Sequence, residues 1–212
     1  IFNKTRGLSL ESFIDNKYFR NSLFGTINHG YFRNISYSAD FYSGNLIFDI
    51  PGKHKLTDLN KVNPLYSKGD SRVKIKCIQN FPEIDINKIW TIDDEKGLVN
   101  LNLKIYFKKQ FSSTIRFNAI TLNPDSFNIN NLFFAVKNGG NEYERFFLKE
   151  FKSIDYSDPL SLLISAKTAI GITDGNLLIG DSVNTIKINI DKTKSALVGF
   201  IKHEDFEDNY FT

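Results

Sequence analysis

The residues best suited to chemistry in this 212-residue chain crowd into positions 28–58. Two of its three histidines, His29 and His54, stand there with Tyr31, Asp40 and Tyr42, among turn glycines at Gly30, Gly44 and Gly52. Aromatic faces hold sugars against their C–H surfaces, while planar polar side chains take the hydroxyls. This stretch offers both kinds of group. A second polar segment, Asn138-Gly139-Gly140-Asn141-Glu142, has the composition of a loop able to close over a ligand, and it adds Asn138 to the candidate set. The plainer reading makes the aromatics core and the polar residues turn formers.

Other chemistries find less to work with. A hydrolytic triad needs a nucleophile activated by a histidine that a carboxylate orients, and no Ser sits in a G-x-S-x-G elbow. Tyr42-Ser43-Gly44 lacks the first glycine. The histidines have no metal-ligand spacing, and Cys77 has no second cysteine, so neither a disulfide nor a zinc site is expected. Cys77 alternates with Val73 and Ile75, which reads as a buried, inert thiol. Glu204, Asp205, Glu207 and Asp208 could offer oxygen ligands to calcium, although a solvated strand end explains them as well. No other cofactor is expected. Asp40, Asp49, Asp58, Asp125, Glu142 and Glu144 could supply a glycosidase acid and base, but spacing along the chain does not fix their separation.

Charge narrows the partners. The formal net charge is +3, with Lys and Arg interspersed among Asp and Glu, and no block of about five like charges marks a nucleic-acid or membrane surface. No apolar run approaches the roughly 18 residues of a spanning helix. The chain begins at Ile1 and contains no Met, so a processed chain or a segment of a longer one is expected.

The elements that must position these groups are strands. Val99, Leu101, Leu103, Ile105 and Phe107 alternate with Asn100, Asn102, Lys104 and Tyr106, giving one apolar and one wetter face. Ile186, Ile188 and Ile190 repeat the pattern. Leu46-Ile47-Phe48 and Leu162-Leu163-Ile164 read as strands buried on both faces. Turn chemistry separates the runs: Asp93-Asp94-Glu95-Lys96-Gly97 joins two of them as a hairpin, and Asn138–Asn141, Thr173–Asn176 and Ile179–Ser182 mark further turns. Roughly ten to twelve strand candidates spaced in this way indicate a sandwich or a barrel. Helices are expected only over 8–17, with Ser9 as cap, and near 54–60. No linker or repeat divides the chain, so 1–212 is read as one domain.

Several segments together resemble a known family. Ser38–Gly44, Pro51–Asp58, Ile120–Phe127, Lys137–Glu142 and Ala169–Gly175 are similar to the β-rich region that follows the catalytic barrel in family 57 glycoside hydrolases, the α-amylase and 4-α-glucanotransferase relatives. The resemblance implies an all-β fold: a large antiparallel super-sandwich of the galactose-mutarotase type. It also implies that the nucleophile and acid lie in a barrel of the same parent chain, and no catalytic residue is carried over here. The expected function is then a non-catalytic, carbohydrate-associated domain that packs beside that barrel. It would hold an oligo- or polysaccharide through His29, Tyr31, Asp40, Tyr42, His54 and Asn138. Two alternatives stand. One is a secreted or surface β-sandwich that binds a protein partner through Trp90, Tyr106 and Tyr143. The other is an autonomous mutarotase- or lyase-like enzyme with His29 or His54 as base beside Asp40 or Glu142.

Overall fold

The computed structural model describes residues 1–14, 21–25, 42–53, 55–123, 126–147, 169–193, 199–204 and 210–211. Across them the chain is all-β, sandwich-like and built from antiparallel sheets, as the alternation predicts. It divides into two compact units: unit 1 is Ile1–Ser12 with Phe41–Ile120, and unit 2 is Phe13–Asp40 with Thr121–Thr212.

Unit 1 starts with a small hairpin, β1 (Phe2–Asn3) and β2 (Ser9–Leu10). Then come β3 (Asn45–Asp49), β4 (Leu56–Thr57), β5 (Leu65–Lys68), β6 (Arg72–Asn80), β7 (Ile84–Asp93), β8 (Leu98–Phe107) and β9 (Thr114–Asn118). One sheet has the order β4-β3-β9, and the other is the meander β5-β6-β7-β8. The period of two decides how they stack. Alternate residues of β7 (Ile84, Ile86, Lys88 and Trp90) turn inward and are buried. Their partners on β8 are Phe107, Ile105, Leu103 and Leu101. Ile84 and Ile86 meet Leu46, Phe48 and Ile50 of the β3 segment, with Leu56, Leu103 and Ile105 packed around them. That cluster is the apolar seam of a sandwich. Cys77 pairs with Lys88 on the inward face and is buried, as its spacing predicts, and burial pushes its thiol pKa up.

Unit 2 holds β10 (Phe133–Val136), β11 (Glu144–Phe147), β12 (Ala169–Ile172), β13 (Asn176–Gly180), β14 (Thr185–Asn189), β15 (Gly199–Glu204) and β16 (Tyr210–Phe211). These form two sheets, β11-β10-β13-β14 and β12-β15-β16. In the first, Phe134 and Val136 stand opposite Ile179 and Leu177, which face Ile186 and Ile188 of β14. One side of that sheet is therefore almost wholly apolar. Phe133, Arg145, Phe147 and Thr185 belong to the other side.

The turn expectations hold at 93–97, 138–141 and 173–176, while the turn expected at 179–182 lies at 181–184, because Ile179 and Gly180 are still paired in β13. The helix expectations do not hold. Within 8–17, Ser9 and Leu10 are a strand, and Leu10 also bridges Ser43, which fixes an extended backbone. Within 54–60, Leu56 and Thr57 pair with Phe48 and Ile47, so the register of β3 overrides local helical preference. Leu162–Ile164 lie outside the described residues. Among the described residues, no helix is long and apolar enough to cross a membrane.

The β13–β14 turn is held by one carboxylate. Asp181 Oδ1 accepts the Val183 and Asn184 N–H groups, each at 2.8 Å, and Oδ2 accepts Asn128 N–H at 2.8 Å. Burial raises its pKa, but the three donors outweigh that and hold the carboxyl below its ordinary value. Its stabilising contribution is therefore present above the ordinary aspartate range and fades as pH falls through the lowered value. Asp181→Ala is expected to cost about 2 kcal/mol in urea unfolding at neutral pH, with a smaller difference from wild type below the carboxylate range.

Candidate functional site

Four of the six candidate sugar-binding residues, His29, Tyr31, Asp40 and His54, lie outside the described residues. The other two belong to different units. Tyr42, in unit 1, is buried, with the Arg6 guanidinium 5.9 Å from its ring centre. Its carbonyl accepts from the Asn118 side-chain amide at 3.0 Å. Asn138, in unit 2, has a left-handed backbone (φ 45°) in the turn after β10. Its Oδ1 accepts the Thr173 N–H at 3.0 Å and the Thr173 hydroxyl at 3.1 Å, and Lys192 Nζ donates to the Thr173 carbonyl. Asn138 thus ties the loop after β10 to the turn before β13.

Trp90, proposed above as an exposed interface aromatic, is 4% exposed. Its indole N–H donates to the Leu8 carbonyl at 2.9 Å, its ring meets Phe2 with centroids 5.3 Å apart, and it packs on the backbone of Gly44. Inward parity on the central strand explains the burial. Tyr106, on the outward face, is 53% exposed, and Tyr143 is half-buried with Lys137 Nζ 5.1 Å from its ring centre.

Two constellations organise the units. In unit 1, Lys88 and Asp58 form a fully buried ion pair at 2.7 Å. Lys88 Nζ also donates to the Gly7 carbonyl at 2.8 Å. Asp58 Oδ1 accepts the Leu46 N–H at 2.9 Å, and the Gln79 side chain donates to the Asp58 carbonyl at 2.8 Å. Burial pushes the Asp58 carboxyl up, against the Lys88 charge and the Leu46 N–H, which pull it down. Lys88 thereby joins β7, the turn after β4 and the amino-terminal hairpin. It is a clamp between layers, closed to ligand.

In unit 2 a groove of about 460 Å³ opens at the end of β10, β11 and β13, a size within the range of small-molecule sites. Phe133 and Phe147, paired in register with centroids 6.3 Å apart, make its apolar wall. The Arg145 guanidinium lies 4.2 Å over the Phe133 ring, a planar fork held in place by stacking. Asn131, Asp181, Ser182 and Thr185 complete the rim with amide, carboxylate and hydroxyl groups. Asp181 is committed to backbone donors and serves to position Ser182 and the 183–184 backbone. The groove can therefore lay a C–H-rich ring against Phe147 and hydrogen-bond its hydroxyls.

Among the described residues, no group of three or more His, Cys, Asp or Glu side chains is placed to hold a metal ion. Asp205, Glu207 and Asp208 of the acidic cluster lie outside them. No protein-family model, no curated protein and no solved structure matches this chain.

Proposed function

We propose that the chain is a non-catalytic, carbohydrate-binding β-sandwich region of a polysaccharide-processing glycoside hydrolase, packed beside the catalytic barrel of the same parent chain. The observation that carries the reading is the groove in unit 2. It combines an aromatic wall, a stacked guanidinium and a rim of hydroxyl and amide groups, the set that recognises a sugar ring. The resemblance of Pro51–Asp58, Lys137–Glu142 and Ala169–Gly175 to the region downstream of family 57 barrels supports the same class. Binding proceeds by stacking and hydrogen bonding, with no bond to the sugar made or broken. Each aromatic contact contributes about 1 kcal/mol, so affinity grows with chain length.

Calorimetric titration with gluco- and manno-oligosaccharides of increasing length tests this. Phe147→Ala and Arg145→Ala are each expected to weaken binding about tenfold, equivalent to about 1.4 kcal/mol. Both residues retain solvent exposure, so Tm should change little. A wild-type protein that binds none of these sugars, or variants that bind as wild type does, would rule the groove out.

A further inference from the structure

The meander of unit 1 has an outward face that the core does not use. Register places Arg72, Lys74, Lys76 and Ile78 of β6 on it, across from Asp93, Thr91, Ile89 and Asn87 of β7. These in turn face Leu98, Asn100, Asn102 and Lys104 of β8. Charge on this face sorts into two classes. Asp93 is taken by Arg72 at 2.8 Å, and Asp85 by Lys108 at 2.6 Å. Among the described residues, Lys74, Lys76 and Lys104 have no carboxylate partner. The pairing thus occupies Asp93 and Asp85 and leaves three cations on one sheet face, beside the exposed Ile78 and Leu98.

Lysines on a sheet often guard an exposed edge against pairing with another chain. That accounts for Lys104 on the edge strand β8. It does not account for Lys74 and Lys76, because β6 is interior, flanked by β5 and β7. Lys74 and Lys76 are alternate residues of one strand, about 7 Å apart, and Lys104 lies two strands away in the row of Ile78, about 12 Å from Lys76 and about 17 Å from Lys74. The rows between them carry Thr91, Asn87, Asn100 and Asn102, all exposed or half-exposed, with half-buried Ile89 between Lys76 and Asn102. Hydroxyl and amide groups between spaced cations suit a polymer that alternates hydroxyls with carboxylates. A nucleic acid would call for more phosphate contacts and for stacking platforms, and this face offers only Tyr106 as an exposed ring.

We infer that the outward face of β6–β8 binds an acidic, uronate-containing polysaccharide through Lys74, Lys76 and Lys104. The face lies in unit 1, so binding there stands or falls independently of the groove in unit 2.

The test is affinity electrophoresis and biolayer interferometry with sodium alginate as the probe and dextran as the neutral comparator. Alginate is expected to retard the protein at low salt, with affinity falling at least tenfold by 300 mM NaCl as the charges are screened. The triple variant Lys74→Gln, Lys76→Gln, Lys104→Gln is expected to lose at least tenfold in affinity. Lys187→Gln, an exposed lysine of unit 2, should leave alginate binding unchanged. All three replaced side chains lie on the sheet surface, and an unchanged Tm verifies that the fold is intact. Wild type that ignores alginate, a folded triple variant that binds alginate as wild type does, or dextran binding that is lost in the same triple variant would each overturn the inference. Tighter binding of duplex DNA or of phosphatidylserine vesicles through the same lysines would overturn it too.

Discussion

Lys88→Met is expected to destabilise the protein by about 3–5 kcal/mol, because it leaves the Asp58 carboxylate in the interior without its counter-charge. Both side chains of the pair are 0% exposed, so water cannot take over the role of the ammonium. The Gly7 carbonyl loses its donor in the same step. Asp58→Asn in the Lys88→Met background should recover part of the loss, since a neutral amide keeps an oxygen for the Leu46 N–H. pH supplies a second readout. Burial already raises the Asp58 pKa in the native protein, and removing Lys88 withdraws the main opposing influence. A carboxyl whose folded pKa lies above its unfolded value favours folding below the ordinary aspartate value, and that contribution is lost as pH rises through the folded value. The variant should therefore lose up to about 1.4 kcal/mol per pH unit above the aspartate range, relative to its stability in acid. Urea unfolding from pH 4 to pH 8 checks this. A Lys88→Met protein as stable as wild type at pH 8 would show that the ion pair holds nothing together.

Gly7→Ala is expected to be comparably damaging, at about 3 kcal/mol or more. Gly7 has φ +64°, where a β-carbon costs roughly 1–2 kcal/mol by itself. Space is the larger difficulty: a Cβ there would sit 1.9 Å from the Asp58 carbonyl oxygen and 2.8 Å from its carbon. Both obstacles are backbone, so no rotamer change relieves them. The hairpin would have to lift, breaking the Gly7 N–H to Asn60 carbonyl bond of 2.9 Å and the Lys88 bond with it. Gly52→Ala is the control, because Gly52 has φ +72° with nothing within 4 Å of the added carbon, and only the conformational cost should appear. Combining Gly7→Ala with Lys88→Met should cost less than the sum, because both act on one contact. Strict additivity would show that hairpin and clamp are independent.

These two residues mark where sequence reading succeeded and where it stopped. Alternation over 98–107 and the Asp93–Gly97 turn delivered β8, and the apolar Leu46–Phe48 run delivered β3. The same alternation assigns Lys88 to the face of Ile84, Ile86 and Trp90, a signal that a cation is buried and needs an anion. The choice of Asp58 among several carboxylates depends on how the sheets stack, which local pattern does not encode. The helix expected over 8–17 failed for a related reason: Leu10 is extended by pairing with Phe2 and Ser43, contacts that propensity ignores. In unit 2 the polar loop at 138–142 drew attention while Phe133, Arg145 and Phe147 on its flanks did not. Paired phenylalanines read as core, and Phe133 is buried; the register and the Arg145 guanidinium over its ring are what show that it and half-buried Phe147 line the groove.

The clamp also sets a schedule for biosynthesis. Gly7 and Leu8 are separated from their partners Lys88 and Trp90 by 81 and 82 residues. At about 5–20 residues per second, the nascent amino-terminal hairpin waits roughly 4–16 s before β7 exists. Asp58, made 30 residues before Lys88, stays without its counter-charge for roughly 1.5–6 s of that interval, and the β3 segment has no meander to cover it. The bonds of the hairpin to Ser43, Asn60 and Val62 are open to it earlier, and its last contacts in unit 1 close only once Lys88 and Trp90 have been made.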